Sequence, residues 1–172
     1  MLTRLALPAR ASFSAARASF STKPGRSWTV YLSGEIHSDW RDVIKRDCAH
    51  LPIAFTMPNP SHEDSDDAAA IILGMEEERR NWDGIGARMN LIRTRTYIEE
   101  ADVVVVRFGE KYRQWNAAFE AGYAVARNIP LITLHPPAIS HMLKEVNAGA
   151  LAVCEEPEQV QHISLIGAVI LA

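Results

Sequence analysis

The run Ala101-Asp102-Val103-Val104-Val105-Val106-Arg107-Phe108 decides the fold. Four consecutive β-branched valines favour extended backbone, and an apolar run without alternation belongs to a strand covered on both faces, as in the centre of a parallel sheet. A helical pattern from Met89 to Ala101 leads into the run, and Gly109 to Trp115 leaves it as a loop. Ala117 to Arg127 then reads as a helix, with Ala117, Ala121 and Ala124 on one close-packing face.

The same alternation continues in both directions. Upstream, Trp28 to Ser33 is a strand broken by Gly34, and Asp39 to Ala49 is a helix whose Trp40, Val43, Ile44 and Cys48 share one face. Pro52 to Met57 is a second short strand. Pro58 to Asp67 reads as a loop; its acids Glu63, Asp64, Asp66 and Asp67 lack the ligand spacing of a calcium loop and read as a solvated lid. Ala68 to Arg80 is a further helical stretch, and Asn81 to Ala87 is irregular. Downstream, Leu131 to Leu134 is the fourth strand, stopped by Pro136 and Pro137. Ile139 to Val146 is a short helix, Ala150 to Cys154 the fifth strand, and Pro157 opens a last helix to about Leu171. Five strands with intervening helices predict an α/β, flavodoxin-like three-layer sandwich with a five-stranded parallel sheet of order 2-1-3-4-5.

The chain has 172 residues, 48% hydrophobic and 23% charged, which suits one domain and a tail. No apolar run approaches the roughly 20 residues of a bilayer span, so no membrane partner is expected. Cys48 and Cys154 are too few and too far apart for a disulfide scaffold. The net charge is −3, yet the first acidic residue is Glu35, and Arg4, Arg10, Arg17, Lys23 and Arg26 precede it. Without those five the chain carries 13 basic against 21 acidic residues and has no bulk attraction for nucleic-acid phosphate. Residues 1–24, rich in Arg, Ser and Ala, have the makeup of a transit peptide. The expected organisation is therefore a presequence over 1–24 and one domain over 25–172. The expected location is the mitochondrial matrix, ahead of a plastid or the cytoplasm.

In a sheet of this order, ligands bind where the loops after the first and third strands diverge. That nominates Ser33 to Asp39 and Phe108 to Glu120. Glu120 is the leading candidate. With Asn116 as N-cap it lies just beyond the first helical turn, where the helix dipole favours a carboxylate able to attack an anomeric carbon. A solvated helix glutamate is the bland alternative. Tyr31 at the strand end could hold that carboxylate by a hydrogen bond, or simply fill the core. Gly34 makes the turn that carries Glu35 and His37, while Ser38 and Arg41 stand ready to meet a phosphate or ribose hydroxyl; an N-cap role suits Ser38 or Asp39 equally. Phe108, Tyr112 and Trp115 offer faces for a nucleobase, or core packing. Asn90, Arg93 and Thr94 lie on the helix before the central strand, where Arg93 could take an anion or a surface ion pair. Asp102 reads as a boundary residue. There is no P-loop, HExxH, nucleophile elbow or Cys/His cluster, and Gly84-Ile85-Gly86 lacks the rest of a dinucleotide fingerprint, so no metal site is expected.

Tyr31-Leu32-Ser33-Gly34, Ala101-Asp102-Val103-Val104-Val105 and Phe119-Glu120-Ala121-Gly122-Tyr123-Ala124 together resemble the nucleoside 2-deoxyribosyltransferase superfamily. The longer run from Tyr31 to Arg41, with Phe108 to Asn116, resembles its YtoQ branch. The resemblance implies Glu120 as the nucleophile at C1′ of a small-molecule nucleoside or nucleotide, with Tyr31 orienting it. It also implies a homo-oligomer in which a neighbouring subunit completes the site, and neither metal nor organic cofactor. The superfamily's Asp-x-Gly-Thr run is here Gln114-Trp115-Asn116-Ala117, so Gln114 and Asn116 are left to hydrogen-bond a base edge. Four readings stay open: a transferase, a hydrolase of the same N-glycosidic bond, a binding module that uses the cleft without cleaving, and a structural or interaction protein whose cleft is vestigial.

Overall fold

The structure, a computed structural model, describes residues 27–59, 71–78, 83–111 and 114–162. The arginine-rich 1–24 segment, the lid acids at 63–67, Tyr112 and the end of the last helix lie outside the described residues.

Five parallel strands form one sheet: β1 (Trp28–Gly34), β2 (Ile53–Thr56), β3 (Val103–Arg107), β4 (Leu131–Leu134) and β5 (Ala152–Cys154), in the order β2-β1-β3-β4-β5. The expected order is observed. The valine run is central: Val30 faces Val103, Leu32 faces Val105, and Gly34 faces Arg107 across the β1–β3 ladder. The helices are α1 (Trp40–Asp47), α2 (Gly84–Glu100), α3 (Trp115–Ala126) and α4 (Lys144–Gly149), the last preceded by a 3₁₀ segment Pro137–Leu143. Residues 157–162 are also helical.

Strand pleating divides the core in two, because successive side chains point to opposite faces. Val30, Leu32, Val105, Ile132 and Leu134 bury Trp40, Ile44 and Cys48 of the α1 side together with Val160. Tyr31, Val104, Val106 and Leu131 face the other way, onto Ile98 of α2 and Ala117, Ala121 and Ala124 of α3. The alanine face lets α3 lie close to the sheet. Asp102 is the boundary residue expected of it: its carboxylate accepts the Thr29 N–H at 2.9 Å, and its own N–H donates to the Thr29 carbonyl at 2.8 Å.

Two helix starts differ from the sequence reading. The helix into β3 begins at Gly84, not Met89, because the Glu76 carboxylate accepts the Ile85 N–H at 2.9 Å and caps it from outside the helix. Asp83, at φ 62°, makes the turn into it. The next helix begins at Trp115, with Gln114 and not Asn116 at the N-cap position. The Gln114 side chain instead turns back and accepts the Gly109 N–H at 3.0 Å, closing the loop after β3. The short helix expected over Ile139 to Val146 is resolved into the 3₁₀ segment and α4.

Candidate active site

The carboxyl ends of β1 and β3 form the switch point, and Glu120 of α3 reaches back to it. The Tyr31 hydroxyl donates to Glu120 Oε2 at 3.3 Å, and the Ser33 hydroxyl donates to the same oxygen. Among the described residues none donates to Oε1. Glu120 itself is half-buried, whereas Tyr31 and Ser33 are fully buried. Burial pushes the Glu120 carboxyl above its ordinary range, and the Ser33 hydroxyl, the Tyr31 hydroxyl and the Arg41 charge draw it partly back. Burial and the Glu120 charge also raise the Tyr31 phenol, which therefore stays a protonated donor at neutral pH. Thr94 hydrogen-bonds that phenol from α2, and the Tyr97 ring lies 5.9 Å from the Tyr31 ring.

The shift of the α3 start changes the electrostatic argument. Glu120 sits six residues into the helix, so the dipole acts on it less than an Asn116 cap would imply. Its ionisation is set by burial and by side-chain donors.

A second carboxylate stands on the loop after β1. Glu35, 7% exposed, accepts the His37 N–H on Oε1 and the Ser38 hydroxyl on Oε2, with Arg107 Nε 3.7 Å from Oε2. Burial alone would raise its pKa, but Ser38, His37 and Arg107 together outweigh burial and hold it below the usual range. Gly34 permits this layout: at φ +101° a Cβ would stand 2.1 Å from the Arg107 carbonyl oxygen.

The other expected site residues divide into groups. Arg41 holds the main chain: its Nε donates to the Leu32 carbonyl at 3.1 Å and its two terminal nitrogens to the Glu35 and Gly34 carbonyls at 2.7 and 3.0 Å. It is a clamp on the β1 loop, and the phosphate contact expected of it is corrected accordingly. Ser38 is turned to Glu35 in place of a helix cap or phosphate. Arg93 donates to Asn90 Oδ1 at 2.7 Å, one helical turn away. Phe108 is buried among Val106 and Ala117, so its ring is core and not a stacking face. Gln114 is engaged by the loop. Trp115, 71% exposed, and Asn116 stand open at the start of α3, Asn116 one turn before Glu120. Ser33 and Arg107 were absent from the expected constellation, and Thr94 was named in it without a role. Ser33 carried a readable signal, since it lies two residues after Tyr31 and so shares its face.

Residues 31–166 match the family described as Nucleoside 2-deoxyribosyltransferase YtoQ. The chain belongs to that family. YtoQ of Bacillus subtilis strain 168, itself an uncharacterized protein, is 40% identical over 132 residues, which are 76% of this chain and 89% of that one. Among solved structures, the 2-deoxyribosyltransferase of Bacillus psychrosaccharolyticus is similar over 77% of this chain and 90% of its own, with 16% identity and a TM-score of 0.49. A conserved protein of Enterococcus faecalis V583 is similar over 80% of this chain and 96% of its own, with 14% identity and a TM-score of 0.49. The YtoQ relative is bacterial, and bacteria have no mitochondria. The mitochondrial location is therefore withdrawn.

Proposed function

We propose that this YtoQ-family domain cleaves or exchanges the N-glycosidic bond of a small-molecule nucleoside or nucleotide through a covalent intermediate on Glu120. The observation that carries the reading is the pair of donors on one carboxylate oxygen. Tyr31 and Ser33 hold Glu120 through Oε2, and Oε1 takes no hydrogen bond from them.

In the first step Glu120 Oε1 attacks C1′. The C1′–N bond breaks, and the base departs with the electron pair and is protonated from solvent. An ester joins C1′ to Glu120. In the second step a ring nitrogen of another base, or water, attacks C1′; the ester bond breaks and returns its electrons to the carboxylate. Two inversions retain the anomeric configuration, as in a retaining glycosidase. The two donors also serve leaving-group chemistry, because they stabilise the carboxylate when it is released. Trp115 supplies a flat face and Asn116 a hydrogen-bonding edge for the base. The mechanism uses side chains alone.

An exposed apolar stripe supports the further proposal that the domain works as a homo-oligomer. Trp115, Phe119 and Val125 of α3 and Met142 of the 3₁₀ segment are 71, 58, 40 and 70% exposed. Beside them lies a 260 Å³ cavity lined by Ala118, Gly122, Val125 and Val146 among others. Exposed large apolar side chains concentrated on one helix are characteristic of association.

The test is release of free base, and exchange with a second base, from a panel of nucleosides and monophosphates, for the wild type and Glu120→Gln. Glu120-dependent release is expected. Ligand binding without release would mean a binding module, and turnover by Glu120→Gln equal to wild type would overturn the proposal.

A further inference from the structure

The loop after β1 and the end of β3 together have the parts of an anion site: the His37 backbone N–H, the Ser38 hydroxyl and the Arg107 guanidinium. Such a grouping at a switch point is where a phosphate would be held. Here all three converge on the chain's own carboxylate, Glu35. The position is enforced from several sides. The Glu35 N–H donates to the Arg107 carbonyl at 3.1 Å, and its carbonyl accepts Trp40 Nε1 at 2.8 Å and Arg41 at 2.7 Å. From the β3 side, Gly109 packs so closely that a Cβ there would lie 2.8 Å from Glu35 Cγ. The carboxylate is therefore wedged between the two loops that bound the crevice. The other buried arginine nearby, Arg41 in the first turn of α1, points its donors at three backbone carbonyls.

We infer that Glu35 is an internal anion that occupies the donors a phosphate would need, so that the site takes a nucleoside with a free 5′-hydroxyl and turns away the 5′-monophosphate. This rests on the reading of the crevice as a nucleoside site. Two effects act in the same direction. The His37 N–H and the Ser38 hydroxyl already donate to Glu35, the Arg107 guanidinium is ion-paired with it although its Nε makes no hydrogen bond, and a fixed, buried negative charge repels an incoming dianion. Glu35 is thus a specificity-determining residue that takes no part in bond breaking.

The experiment has two arms, each run on the wild type, Glu35→Gln and Glu35→Ala. In the first, the four 2′-deoxynucleosides are compared with their 5′-monophosphates. The wild type prefers the nucleoside by about a hundredfold in kcat/KM, and Glu35→Gln narrows that ratio about tenfold or more. A wild type that uses monophosphates as well as nucleosides, or a ratio unmoved by Glu35→Gln, overturns the inference. In the second arm, inorganic phosphate replaces chloride at equal ionic strength and thermal unfolding is followed. Phosphate leaves the wild-type Tm unchanged and raises that of Glu35→Ala by about 3 °C, since a ligand of the folded state alone must stabilise it. Equal shifts in both proteins, or a shift in neither, contradict it. Should Glu35→Ala fail to fold, Glu35→Gln carries both arms, with a smaller phosphate shift. If neither nucleosides nor monophosphates are turned over, the N-glycoside reading fails while the phosphate arm still decides the inference.

Discussion

Glu120 shows how one carboxylate can be held in place and still be reactive. Both of its donors end on Oε2, so substituting either changes its charge and aim without touching the attacking oxygen. Ser33→Ala should lower kcat about ten- to a hundredfold, the range of a hydrogen bond to a charged group, with little change in KM. The pH profile separates this from a structural effect. Burial already raises Glu120, and Ser33 is the first of the groups that lower it. Its removal should therefore move the acidic limb of kcat/KM to higher pH, because the carboxylate must be deprotonated to attack. Linkage gives a second prediction. The folded state holds the Glu120 proton more tightly than the unfolded chain, so its contribution is full below the ordinary value of 4.5 and is lost as pH rises through the raised one. Glu120→Gln should gain Tm relative to wild type as pH rises from the ordinary value of 4.5 through the raised one, and a constant difference in thermal melts would contradict that. Glu35 has the opposite sign: its lowered value stabilises above the ordinary range and ceases to do so as pH falls. At this scale Glu120 and Tyr31 were legible from their place in the topology. Ser33 was not singled out, although strand alternation puts it on the Tyr31 face, because a short hydroxyl carries little sequence signal of its own.

At the scale of elements, the β1–β3 pair and the loop between β1 and α1 determine the site. Gly34 stands opposite Arg107 with no room for a Cβ, so Gly34→Ala must displace one of the two central strands. It should cost about 3 kcal/mol or more in chemical denaturation, and a cost below about 1 kcal/mol would contradict this close approach. Arg41→Lys is equally informative, because a lysine cannot reproduce a planar fork serving three carbonyls. A loss of about 2 kcal/mol is expected, accompanied by lower activity as the loop that carries Glu35 loosens. Strand order was readable because unbroken apolar runs and short connections admit few topologies. Helix starts were less readable. α2 is capped by Glu76, eight residues before Gly84, and the Gln114 side chain closes the preceding loop; neither contact follows a local capping pattern.

For the whole molecule, the exposed Trp115, Phe119 and Val125 lie on the helix that carries Glu120, and the exposed Met142 on the 3₁₀ segment. Replacing Trp115 and Phe119 together by serine should convert an oligomer to a monomer in sedimentation velocity, whereas a wild type that is itself monomeric at micromolar concentration would remove the assembly proposal. Composition foreshadowed one domain but misdirected its location, since an arginine-rich, acid-free start was read as an organelle address and the YtoQ relative is bacterial. The central claim is a bond between Glu120 and the sugar. Its most direct test is mass spectrometry of the protein quenched in acid during incubation with 2′-deoxynucleosides, followed by digestion and mapping. The account predicts a deoxyribosyl adduct on the peptide bearing Glu120, absent from Glu120→Gln, together with free base. Base release by the wild type with no adduct there, and undiminished release by Glu120→Gln, would contradict it.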